Sequence, residues 1–346
     1  MKTHFKILIL LLFTQISKAS NLPNSFSIKS KTISKEFSVN FDAKMTVKNS
    51  YGNVTVVLWD ENKISYEVQI TAKAKNDKKT DELLNGIKVD FEANSKATSA
   101  ITTIPSMSGD KTLKINYTIK IPRQAHVHVE QKYGNIYIPE LNGTLKLINK
   151  YGNIDIGSLH NKQNDFELAY TGNATANYIN YGNFTTSYSN IKFEKINYFV
   201  AKGNYNNINI SNVGTLHAEN NYTSFAINNI QKIEVKGNYL NIKINEVHVS
   251  SIIKSNYTTV KQNITSQTEF IQYDGNYSTL VIGNIKNQNF NFDVSGSYFT
   301  LNSKIDLNYN SKISNTTFKQ YTGIANNNAK LKINVKSDYG TLTFNN

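Results

Sequence analysis

From residue 233 the chain alternates in a strict frame. Ile233, Val235, Gly237 and Tyr239 are apolar or small, and Glu234, Lys236 and Asn238 between them are polar. The frame recurs in Phe199, Ala201, Gly203, Tyr205, in Ile271, Tyr273, Gly275, Tyr277, in Phe292, Val294, Gly296, Tyr298, and in Ile333, Val335, Ser337, Tyr339. Period-two alternation predicts a strand with one buried face. Beyond each tyrosine the apolar positions are the third and fifth, as in Ile208 and Ile210 or Ile242 and Ile244. That step is odd, so the inward parity flips, which requires a corner or bulge. The two residues after the tyrosine suit one: Gly-Asn, Asn-Asn, Thr-Ser, Thr-Thr or Ser-Thr. A further apolar residue often stands eight positions on: Leu141, Leu159, Ile196, Val213, Ile230, Val247 and Ile285.

The tyrosines that set this frame are Tyr133, Tyr151, Tyr170, Tyr188, Tyr205, Tyr222, Tyr239, Tyr257, Tyr277, Tyr298, Tyr321 and Tyr339, spaced 17 to 23 residues apart. Tyr51, in YGNVTV, is an early copy. A fixed period near twenty residues means stacked units that cannot bury their apolar faces alone. The predicted fold is all-β: a parallel β-solenoid of coils of about 17–21 residues, stacked about 4.8 Å apart into a rod on the order of 55 Å long. The tyrosines and corner asparagines would form ladders, each side chain meeting its own copy above and below. Continued alternation through the corner puts the tyrosine ring on the buried side.

Three regions follow. Residues 1–19 read as a secretory signal: Lys2 and Lys6, an apolar run from Ile7 to Phe13, and a small-x-small site ending at Ala19. Cleavage there predicts a mature N-terminus at Ser20 and export to the periplasm, the outer surface or the medium. Residues 20–130 form an irregular β region that starts and caps the solenoid. Within it NDKKTDELLNG predicts a short helix over 77–86, capped by Asp77, that covers the open end of the stack. Residues 131–346 carry the repeats, and SDYGTLTFNN reads as a unit cut off after its second strand.

Together, NSYGNVTVVLWDENKISYEV, the helix DKKTDELLNG and the strand INYTIKIPRQAHVHVEQKYGNI resemble the bacterial putative adhesins, including the putative auto-transporter adhesin (head GIN) type common in exported Bacteroidetes proteins. The resemblance spans roughly residues 30–346. It implies an exported β-solenoid and carries no functional residues across.

Composition narrows the function classes. Formal net charge is +13, from 38 Lys+Arg against 25 Asp+Glu; losing Lys2, Lys6 and Lys18 with the signal leaves +10. The lysines are scattered and Arg123 is the only arginine, which with export speaks against nucleic acid as a partner. Anionic glycans or lipid headgroups suit the charge better. There is no cysteine, so the chain relies on no disulfide. After the signal, no apolar stretch is long enough to span a membrane.

No catalytic constellation stands out, and no cofactor or metal is implied. His126 and His128 share a strand face, but no third ligand accompanies them. His160, His217 and His248 are isolated. Glu194, Glu219, Glu234, Glu246, Glu269, Asp274 and Asp293 fall at several repeat offsets, as solvated points on an outer wall would. The Asn-x-Ser/Thr sequons at Asn142, Asn221, Asn256 and Asn276 are expected by chance in so Asn-rich a chain.

The favoured reading is a non-enzymatic envelope or surface protein, an adhesin binding glycan or protein through its sheet faces. The alternatives are a periplasmic partner or sensor in envelope homeostasis and a carbohydrate-active β-helix enzyme. The last requires carboxylates gathered on one face.

Overall fold

The computed structural model describes residues 26–107, 109–326 and 329–346; the signal reading lies outside them. The chain is a parallel β-solenoid of coils of about 18 residues, with one short helix, Asp77–Gly86, among the described residues. Each coil runs along an incoming face to its tyrosine, turns, and leaves along an outgoing face. In the middle of the rod both faces belong to one long strand bent around a second corner. Asn190–Asn204, Asn207–Asn221 and Ser224–Asn238 are such strands, paired in parallel with few breaks in register.

Inside, the repeat positions form columns. Ile208, Ile210, Val213, Leu216 and Ala218 are all at most 4% exposed, as are their counterparts Phe225, Ile227, Ile230, Ile233 and Val235. The eighth-position residues from Leu141 to Ile285 lie in the same core. Burial of each such side chain contributes roughly 1.5–3 kcal/mol, and no coil could enclose its set alone.

The corner explains the parity flip. Every repeat tyrosine on it, from Tyr51 to Tyr339, has φ between 50° and 60°. One left-handed residue swings the ring out and returns the next side chain inward. Ser189, Asn206, Thr223 and Thr258, each following its tyrosine, are accordingly buried. Their oxygens accept from the backbone of the preceding coil: Thr171 N to Ser189 Oγ, 3.2 Å; Ser189 N to Asn206 Oδ1, 3.2 Å; Leu240 N to Thr258 Oγ1, 3.2 Å. That is the physical reason for small polar residues there. Where glycine takes this place, as at Gly134, a Cβ would run into the carbonyl oxygen of Gly52.

Both ends carry antiparallel strands that cover parallel edges, although at the far end Thr300–Ser303 pairs, among the described residues, only with Thr341–Phe344. At the start, Ser27–Ser38 pairs with Lys63–Ala74, which pairs with Thr112–Pro122. The helix lies on the first two of these, held by Lys29 to Asp81 (2.6 Å) and by Lys31 to the Leu84 carbonyl (2.7 Å), with Leu83 and Leu84 buried. Its cap is Asn76, whose Oδ1 accepts from Lys79 N, and not Asp77, which is the first helical residue. An amide oxygen one residue earlier meets the free N–H of the first turn.

At the far end, Phe318–Ala325 pairs antiparallel with Phe290–Ser297 and with Asn308–Ser314. The coil of Leu331–Lys336 and Thr341–Phe344 then inserts between two earlier coils: Phe270–Asp274 and Thr279–Gly283 on one side, Phe290–Ser297 and Thr300–Ser303 on the other. The N-terminal end has the same device. Lys44–Ser50 lies between Ala97–Thr103 and His126–Lys132.

Candidate binding surface

The tyrosines form an outer ladder. Tyr51, Tyr133, Tyr151, Tyr170, Tyr188, Tyr205, Tyr222, Tyr239, Tyr257, Tyr277, Tyr339 and Tyr298 stack in that spatial order, with ring centroids 4.7–5.1 Å apart and planes within 15°. From Tyr133 onward these rings are 47–55% exposed, so the expectation of an inward ring is overturned. The left-handed corner, which strict alternation ignores, is the cause. Tyr321 is not a rung. It lies in the antiparallel strand Phe318–Ala325 and packs edge-on to Tyr309, 5.9 Å away.

A left-handed conformation costs an L-residue roughly 1–2 kcal/mol, and each stacked pair returns roughly 0.5–1.5 kcal/mol. Each stack is shared by two rings, so the ladder returns about one stack per strained corner and offsets much of the backbone cost. The consequence for binding is geometric. Neighbouring rings cover one another's faces, so the ladder offers solvent a row of ring edges and hydroxyls.

Asparagines run beside it. Asn221 Nδ2 donates to Asn204 Oδ1 (3.1 Å), Asn238 N to Asn221 Oδ1 (3.0 Å), Asn256 Nδ2 to Asn238 Oδ1 (3.0 Å) and Asn276 N to Asn256 Oδ1 (2.9 Å). Asp338 continues the row, donating its N–H to Asn276 Oδ1 (3.0 Å). Four sequon asparagines thus divide: Asn221, Asn256 and Asn276 are rungs of this ladder, and Asn142 donates its backbone N–H to the Arg123 carbonyl.

The incoming face carries charge in alternating signs. Lys48 meets Glu130 (2.9 Å), Lys202 meets Glu219 (3.3 Å), and Glu234 meets both His217 (3.3 Å) and Lys236 (3.7 Å). These pairs are exposed and contribute little stability. They leave an open, mixed-sign wall. Lys202, His217, Glu219, Glu234 and Lys236 surround a depression of about 270 Å³ floored by Val200 and Ala218.

The insertion of the last coil brings Asp274 and Asp293 to a second depression, of about 290 Å³, a juxtaposition that no sequence offset signals. Glu194 accepts from Ser211 Oγ (3.1 Å) and Glu246 lies 3.5 Å from His248 Nε2, while Glu269 sits where its backbone bonds Val249 and Lys332.

Of the histidines, His126 Nδ1 accepts from Thr144 N at 3.0 Å. His128 is held below the usual imidazole pKa, first by burial and then by Lys146, Lys44 and Lys48, with Glu130 opposing. His160 Nε2 contacts Glu140 at 3.0 Å. Among the described residues no group of three or more His, Cys, Asp or Glu side chains is placed to hold a metal ion. Among them, too, no helix is long and apolar enough to cross a membrane.

No family model matches the chain, and no curated protein matches it. Several solved bacterial structures are similar at low identity. A putative cell adhesion protein from Clostridium sporogenes ATCC 15579 aligns over 92% of this chain and 99% of its own, at 10% identity and a TM-score of 0.19. A putative adhesin from Bacteroides fragilis NCTC 9343 aligns over 91% and 97%, at 12% identity and a TM-score of 0.27. A putative lipid binding protein from Parabacteroides distasonis ATCC 8503 aligns over 90% and 96%, at 9% identity and a TM-score of 0.33. At such scores the likeness decides nothing about function. The outer wall itself has to supply the reading.

Proposed function

We propose that this protein is an exported, non-enzymatic binding protein of the cell envelope or surface, an adhesin in the broad sense, that holds glycan or protein along its outer faces. The observation that carries the reading is the incoming face. It runs the length of the stack, its Lys, His and Glu side chains pair across neighbouring coils, and its depressions are open to solvent. Each contact on such a wall is exposed and weak, so affinity comes from many coils acting at once. Hydrolysis of a glycan calls instead for two carboxylates converging on one bond in a shaped cleft. Glu219 and Glu234, on the same wall, are occupied by Lys202 and by His217 with Lys236.

The test is a glycan array with a whole-cell adhesion assay, run on the full chain and on one lacking the period 222–238, beside turnover assays on the same polysaccharides. Retention without turnover, weaker for the shorter rod, is expected. Depolymerisation abolished by Glu219→Gln or Glu234→Gln would make the protein an enzyme. Retention on no surface or glycan would move it to the partner or sensor class.

A further inference from the structure

A second, shorter aromatic stack stands at the other corner of the coil. Tyr181 stacks on Tyr198 at the second corner, 5.2 Å between centroids and 9° between planes, and Tyr198 in turn meets the His217 ring at 5.4 Å. This short stack ends at Tyr181. Asp165 pairs with Asn183 in register, so the neighbour two residues earlier in the adjacent coil is Gln163. An amide stands where the next ring would be, and Tyr181 lines an open depression of about 580 Å³.

The same spot marks a change in coil construction. Before it, incoming strands such as Leu145–Lys150 and Asn164–Ala169 start after separate turns; from Ala174–Ser187 to Asn241–Asn256 one strand rounds the corner unbroken, and separate strands resume at Thr259–Ile264. Asn164 fixes the step. It is fully buried, next to Leu145 in register, and its Nδ2 donates to the carbonyls of Asn161 (2.9 Å) and Tyr181 (2.8 Å) while its Oδ1 accepts from Leu145 N (3.2 Å). The site is thus built on rigid backbone.

Around the depression stand Thr144, Lys146, Lys162, Gln163, Asp165 and Asn183. Asn183 Nδ2 donates to Asp165 Oδ1 at 3.0 Å, which orients the carboxylate. Unlike Lys48, Lys202 and Lys236 on this wall, Lys146 and Lys162 form no salt bridge among the described residues.

We infer that this depression is a subsite for one unit of an acidic saccharide, such as a uronic acid. Tyr181, lining the depression beside Gln163, offers apolar ring surface for the C–H groups of a pyranose. Asp165, Asn183, Gln163 and Thr144 offer acceptors and donors for ring hydroxyls, and the two unpaired lysines suit the carboxylate. The inference rests on the reading of the protein as a glycan binder, and it adds the place and the class of sugar.

The test uses the full chain with oligogalacturonate and with cellohexaose as the neutral probe, by calorimetry and saturation-transfer NMR. Oligogalacturonate is expected to bind, with Tyr181→Ala weakening it about tenfold and Tyr181→Phe leaving it within about twofold. Lys146→Gln with Lys162→Gln should remove the preference for the acidic probe. Tyr222→Ala, on the main ladder, serves as the control and should leave binding unchanged. Circular dichroism checks that each variant is folded. Acidic saccharide bound equally by Tyr181→Ala would overturn the subsite and leave the glycan reading intact. Preference for cellohexaose would overturn the acidic class. If the full chain binds neither probe yet is retained by other glycans on the array, the subsite fails alone. If it is retained by none, the glycan reading fails with it.

Discussion

The middle of the rod and its C-terminal end use one repeat frame in two different ways. Between Tyr188 and Tyr257 each coil lies beside its neighbour in the chain, and the strands pair in register save for one bulge opposite Ile230 to Lys232. At the end, the coil of Tyr339 lies between those of Tyr277 and Tyr298, although Tyr298 comes first in the chain. Within a coil, therefore, the frame dictates which side chain faces where. The order of coils in the stack is dictated by the connections. At this end the connection is the antiparallel hairpin of Asn308–Ser314 and Phe318–Ala325, which covers the edge of Phe290–Ser297 and sends the chain back into the stack.

The comparison breaks most violently under deletion. Removing residues 222–238 takes out one whole middle coil and keeps register, so a soluble β-rich product is expected by circular dichroism. Removing nine residues inside that window should abolish folding, because a parity error turns a strand's buried face outward. Equal tolerance of both would refute interchangeable coils. Next in size is a single charge. Ile244 is 2% exposed and Lys243 beside it is exposed. In urea unfolding, Ile244→Lys should cost several kcal/mol and Lys243→Glu almost nothing. Similar losses from both would mean that the facing is wrong.

The ladder sharpens the contrast between a rung and a mere member of the series. Tyr222 stacks on two rings, Tyr205 and Tyr239. Tyr222→Ala should cost about 2 kcal/mol, from two lost stacks at an unrelieved left-handed corner. Tyr222→Gly should recover roughly 1 kcal/mol of that by removing the backbone strain. If Gly proves worse than Ala, the strain argument fails.

The smallest effect is a pH dependence. Burial raises the phenols of Tyr117 and Tyr273 to about 12, and raises that of Tyr66 further. A phenol whose pKa is higher in the folded state than in the unfolded chain stabilises the fold fully below pH 10. That contribution is lost as the pH rises from 10 toward 12. Stability should fall over this window, less steeply in Tyr117→Phe. An identical slope for the variant, read from urea unfolding at successive pH values, would remove burial as the cause.

Much of this fold was legible because the coil is a local object. Alternation before the tyrosine, the odd step after it and the eighth-position residues all follow from neighbours in the chain, and Ile208, Ile210 and Val213 are buried accordingly. The direction of the ring was not legible. Alternation assumes extended backbone throughout, and a single left-handed residue cancels it. Tyr321 misled because period alone cannot tell a parallel coil from a returning antiparallel strand. The surface was harder still. Tyr181, Asp165 and Lys146 come from three coils, and what joins them is a change of coil type held by the buried Asn164.

The claim that spatial order departs from chain order can be tested with cysteines, since the protein has none of its own. Asn334 is the register partner of both Gln272 and Asp293, one on each side. Adjacent strands place partner Cα atoms within reach of a disulfide, and strands two apart do not. Gln272→Cys with Asn334→Cys should therefore close an intrachain disulfide under mild oxidation, detected by intact mass and peptide mapping, while Gln272→Cys with Asp293→Cys should stay reduced. Closure of the second pair and not the first would mean that the coils stack in chain order, and the interleaved end would be wrong.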